Sequence, residues 1–82
     1  MISIEKAIEI YYESNSNLKI SGILDTGDEW VISAVDKESG MDIDASPLAI
    51  NKKDGKITVF FPPMNMGKLE KAKVMDLNGL NI

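Results

Sequence analysis

The chain has no cysteine, no histidine and no arginine among its 82 residues. Without cysteine there is no disulfide framework, no thiolate zinc site and no cysteine nucleophile. Without histidine the commonest general base and the commonest metal ligand are missing, and every Ser-His or Cys-His constellation goes with them. Arginine is the usual reader of phosphate and guanine, so its absence, with a net charge of −4, argues against a nucleic-acid partner. Neither a GxGxxG nor a GxxxxGK[ST] spacing occurs, and the glycines fall one to a turn, so no nucleotide cofactor is expected. Long apolar runs are lacking as well. Trp30-Val31-Ile32 is far short of the ~20 residues that span a bilayer. The opening Met1-Ile2-Ser3-Ile4-Glu5-Lys6 meets an acid at once and lacks the basic start and long apolar stretch of a secretory signal. The chain therefore reads as a cytoplasmic protein without a membrane partner.

What is present fits one ordinary globular domain over residues 1–82, since 44% of the residues are apolar and 27% charged. Charge is unevenly spread. Between Asp25 and Asp44 seven carboxylates (Asp25, Asp28, Glu29, Asp36, Glu38, Asp42 and Asp44) face Lys37 alone, whereas Lys52 to Lys73 carries six lysines against Asp54 and Glu70.

Ile4, Ala7, Ile8 and Tyr11 follow the i, i+3, i+4, i+7 spacing of a helix with one apolar stripe. Ser3 is its N-cap and Asn15-Ser16-Asn17 its end, giving a helix over about residues 3–14. Leu18 to Leu24 alternates as a strand, with Leu18, Ile20 and Leu24 on one side and Gly22 weakening it or marking a bulge. Asp25-Thr26-Gly27-Asp28 is a turn into a second strand, Glu29 to Val35, with Trp30, Ile32 and Ala34 on one face and Val31, Ser33 and Val35 on the other. Asp36 to Ser46 is a loop with a short extended piece at Met41 to Ile43. Leu48 to Ile50 and Ile57 to Phe61 make a second hairpin around Asp54-Gly55, and Pro62-Pro63 ends it. Asn65 then caps a second helix carrying Met66, Leu69 and Ala72 and closing at Val74 and Met75. The expected fold is α+β, an N-terminal helix on a small antiparallel sheet of about four strands, two hairpins, with a short C-terminal helix.

Carboxylate pairs are the one acid/base option left. A working pair needs one carboxyl in an apolar pocket and an opposed partner, for which so small a domain has little room, so no catalytic residue is assigned. Asp36, Glu38, Asp42 and Asp44 alternate like calcium ligands, but Gly40 comes one place early and no closing glutamate follows, so no metal is expected. Trp30 is read as core. Of Phe60 and Phe61, adjacent on a strand, one must be inside and the other outside, and the register that decides is not fixed by the sequence. Val31, Val35, Thr58 and one of these phenylalanines would leave a partly apolar patch on the sheet face away from the helices, unless a helix covers it.

The helix Ile4 to Tyr12, the strand Glu29-Trp30-Val31-Ile32 after a Gly-Asp turn, the segment Ser46-Pro47-Leu48-Ala49-Ile50-Asn51 and the hairpin Lys53-Asp54-Gly55-Lys56-Ile57-Thr58-Val59-Phe60 resemble the immunity protein 35 family of bacterial polymorphic toxin systems. The resemblance runs from Ile2 to about Val74, and the segment Pro62-Pro63-Met64-Asn65-Met66-Gly67 departs from it. It implies a cytoplasmic, non-catalytic immunity protein that binds and blocks a cognate protein toxin, often one with a papain-like fold. On that reading the seven carboxylates from Asp25 to Asp44 steer a basic toxin surface. The alternative is a structural or regulatory module that associates with itself as a homodimer.

Overall fold

A computed structural model describes residues 1–43 and 45–82. Its first element is the helix α1 (Ile4–Ser14), which buries Ala7, Ile8 and Tyr11, the stripe set by the apolar spacing. Ser3 is extended, and its hydroxyl oxygen accepts the Lys6 amide at 3.1 Å, satisfying one of the donors left open at a helix start. At the far end the Asn15 side chain donates to the Tyr11 carbonyl at 3.0 Å.

Next come β1 (Leu18–Asp25) and β2 (Glu29–Asp36), paired antiparallel. Their register steps from Ile20↔Ala34 to Gly22↔Ser33, which leaves Ser21 as the extra residue of a β-bulge. One extra residue exchanges the faces of everything after it. Leu18 and Ile20 face α1 before the bulge and Ile23 faces it afterwards, so Leu24 points to the opposite face and does not join Leu18 and Ile20 as simple alternation requires. The Ile20 amide beside the bulge donates to the Tyr12 hydroxyl at 3.0 Å, tying α1 to the irregularity.

The remaining strands are β3 (Leu48–Asn51), β4 (Ile57–Val59) and β5 (Lys73–Val74), and the sheet has the order β4-β3-β2-β1-β5 with antiparallel neighbours throughout. There are thus five strands where the two hairpins account for four. Between β4 and β5 lie a 3-10 turn (Pro62–Met64) and the helix α2, which covers only Met66–Lys71. Ala72 is already extended, and Val74 pairs with Leu24 instead of closing a helix. Gly67 makes α2 weak, and the outer edge of β1 offers backbone partners to the residues that follow. Asn65 is not a side-chain cap either: its amide donates back to the Phe61 carbonyl at 2.8 Å.

Trp30, Ile32 and Ile50 meet Ile20, Ile23 and the buried face of α1 in the main core, while Val31, Ala49 and Phe60 form a smaller cluster on the opposite side of the sheet. Because β4 and β5 lie at opposite edges, the chain between them must cross the sheet. Leu69 packs on Val31, Ala49 and Phe60, so the crossing runs over the face away from α1. The helix α2 thus covers the outer face, the one condition under which the sequence reading leaves no apolar patch there, and Val31 and Phe60 are buried beneath it. The phenylalanine question is settled by the same register: Phe60 is 3% exposed and Phe61 49%. After β5 the chain returns to the α1 side, where Met75, Leu77, Leu80 and Ile82 pack against the main core.

Candidate protein-binding surface

Six of the seven carboxylates assigned to partner binding can be placed; Asp44 lies outside the described residues. They do not form one patch. Asp25, Asp28 and Glu29 sit at the β1–β2 turn, whereas Asp36, Glu38 and Asp42 sit at the far end of β2, roughly 24 Å along an eight-residue strand.

The first group is engaged within the fold. The Asp25 carboxylate meets the Lys52 ammonium at 2.6 Å and accepts the Gly27 amide at 2.8 Å; Gly27, at φ 101°, takes the left-handed conformation the turn needs. The Lys52 hydrogen bond, followed by that of Gly27, holds the Asp25 carboxyl below its ordinary value. Lys52 is itself buried, with its ammonium 4.1 Å from the centre of the Trp30 ring. Its backbone is tied down as well. The Ile2 amide donates to the Lys52 carbonyl at 2.7 Å, and the Lys52 amide donates to the Asp28 carbonyl at 3.0 Å. The Trp30 indole N–H donates to the Ile2 carbonyl at 3.0 Å. Lys68 of α2 bridges Glu29 at 2.9 Å and Asp28 at 3.8 Å. Its ammonium is held above the ordinary lysine value, chiefly by the Glu29 hydrogen bond. Lys73 of β5 lies opposite Asp25 as well, so these three carboxylates are matched by three lysines.

At the other end Asp36 serves its own turn. Its carboxylate accepts the amides of Ser39 at 3.0 Å and Glu38 at 2.9 Å, and these bonds hold its carboxyl below the ordinary value. The Asp36 amide donates to the Met41 carbonyl, and Val35 and Asp42 form an isolated antiparallel bridge, so the extended piece expected at Met41 to Ile43 is reduced to a single bridge at Asp42. Glu38 and Asp42 are exposed, and among the described residues neither lies within ion-pair distance of a lysine. Met41 stands between them, 70% exposed.

Sequence reasoning missed the apolar part of the surface. Met41, Val59, Phe61, Met64 and Met66 are all exposed. Met66 had a place in the packed stripe of a longer helix; with α2 only six residues long it turns outward. The one signal for this group was the Phe60-Phe61 pair, which requires one ring to face out.

Among the described residues no three acidic side chains come together in a way that would hold a metal ion. A concavity of about 640 Å³ lies between the end of α1, the start of β1 and residues 81–82, and its charged side chains are Lys19 and Lys37 with no opposed carboxylate pair. No described helix is long and apolar enough to cross a membrane. Neither a family model, a curated protein nor a solved structure matches the chain.

Proposed function

We propose that this chain is a non-catalytic, cytoplasmic immunity protein that binds a cognate bacterial toxin and neutralises it by contact. The observation that carries the reading is the outward-facing segment Glu38 to Asp42, in which two unpaired carboxylates flank an exposed methionine. Carboxylates without an internal lysine keep their full field and steer a basic surface toward them. Met41 offers a flexible apolar contact at the centre. The Asp36 turn and the Val35–Asp42 bridge hold the segment in one shape, which lowers the entropy cost of docking. Asp25, Asp28 and Glu29 have a smaller part in this scheme because Lys52 and Lys68 offset most of their charge. In line with the resemblance, the partner is a toxin with a basic surface beside its active cleft, of papain-like fold.

The test is titration calorimetry of the chain with the product of the adjacent gene. A one-to-one complex that abolishes that product's toxicity is the expected result, and no complex would overturn the reading. Within such a complex, Glu38→Lys with Asp42→Lys should slow association about tenfold and flatten its salt dependence. An unchanged on-rate removes the segment from the interface.

A further inference from the structure

The edge strand β4 is the second surface with a specific geometry. Its pairing to β3 fixes which backbone groups face away from the sheet. The Asn51 amide donates to the Lys56 carbonyl at 3.0 Å and the Phe60 amide to the Pro47 carbonyl at 2.9 Å, and Thr58 lies opposite Ala49 between them. Residues 56, 58 and 60 therefore turn their backbone groups toward β3. Ile57 and Val59 turn theirs outward, and no described group meets them. On the same strand Val59 is 67% exposed, and its opposite residue Leu48 packs on the α1 side of the sheet.

We propose that β4 pairs antiparallel with β4 of a second copy, making a two-fold dimer whose sheet continues across both chains. With Thr58 opposite its own symmetry mate, Ile57 of each copy lies opposite Val59 of the other. Those are the hydrogen-bonding positions, so each pair exchanges two N–H···O=C bonds and all the outward groups of both residues are satisfied. Ile57 covers the exposed Val59 of its mate, and the two Thr58 side chains meet across the axis, a favourable cross-strand pair.

Charge selects this direction. β4 runs from the turn bearing exposed Lys53 and Lys56, with only Asp54 between them to oppose their charge, to the end beside Pro47, where the loop with Glu38 and Asp42 rejoins the sheet. Antiparallel pairing sets the lysine end of each copy toward the acidic end of the other; parallel pairing would set lysines against lysines. The same strand carries its own limits. The strand is three residues long and Pro62-Pro63 follows Phe60 and Phe61 beyond it, which keeps the ladder short, and a two-fold contact uses up the edge it is built from, so the assembly closes at two. So small an interface belongs to the weak class, well under about 1,200 Å².

This pairing does not depend on toxin binding, and either can fail without the other. The experiment is sedimentation equilibrium of the full chain from micromolar to millimolar concentration at low salt, with amide exchange followed over the same range. A species of twice the chain mass is expected, with the Ile57 and Val59 amides exchanging more slowly as it forms. Val59→Pro removes one outward donor and leaves the ladder to β3 intact, so it should raise the dissociation constant about tenfold or more while circular dichroism stays unchanged. Lys53→Glu with Lys56→Glu should weaken the dimer, and adding Glu38→Lys with Asp42→Lys should restore it. A monomer at every concentration, or a dimer indifferent to Val59→Pro, overturns the proposal. So does a monomer in which Val59→Pro weakens toxin binding, because the edge then belongs to a strand of the partner.

Discussion

The two faces of the sheet are built differently. The α1 face carries an eleven-residue helix, the aliphatic residues of four strands, Trp30 and the returning segment Met75–Ile82. The other face has Val31, Ala49 and Phe60, closed by Leu24 and Leu69. A large apolar payload under a long helix tolerates little change, whereas a small cluster under a six-residue helix is held by one or two contacts. Stability should therefore reside on the first face. The second is where the crossing segment loosens first.

This contrast sets an order of expected effects. Ile50→Ala on the first face, at a side chain with no exposure, should cost about 3 kcal/mol in urea unfolding, through lost burial and the cavity left behind. Gly55→Ala should cost about 2 kcal/mol, chiefly because Gly55 holds φ 76°; an added Cβ would also stand 2.8 Å from the Ile2 Cδ1 atom, so that side chain has to turn aside. Leu69→Ala, on the half-buried lid of the second face, should cost only about 1 kcal/mol. A Leu69→Ala loss equal to that of Ile50→Ala would break the comparison.

The smallest effect is electrostatic and belongs to the junction at Lys52. The folded Asp25 carboxyl sits below its unfolded value, so this group adds stability above the unfolded pKa of about 3.9 and gives it up as pH falls through the folded value. Asp25→Asn should lower stability at neutral pH. The difference from wild type should shrink below pH ~4 and vanish once the native carboxylate is protonated. A gap that persists in strong acid would show that the side chain acts through something other than its charge.

Much of the first face is legible in the sequence because each piece carries its own period. Ser3 and the Ile4-Ala7-Ile8-Tyr11 spacing mark α1, and the alternation from Trp30 to Val35 marks β2. The second face is not legible in the same way. A two-residue strand has no period, and Lys73-Val74 becomes one only because β1 presents an open edge beside it. Gly22 signals an irregularity, but the reversal that carries Leu24 to the other face depends on Ser21 being the residue left over. The acids of the candidate surface can be read from the chain, while their partners cannot. Lys52 is 27 positions from Asp25 and Lys68 is 39 from Glu29, so only the fold reveals that half of the acidic stretch is matched by lysine.

The placement of Trp30 makes the molecule its own optical instrument. It is the only indole, lying beneath an ammonium and bonded to the Ile2 carbonyl, where the first residues and both hairpin turns converge. Emission from that ring will report on this junction first. A spectrum that stays blue while amides around Leu69 exchange would record the lid opening over an intact core, with no label added.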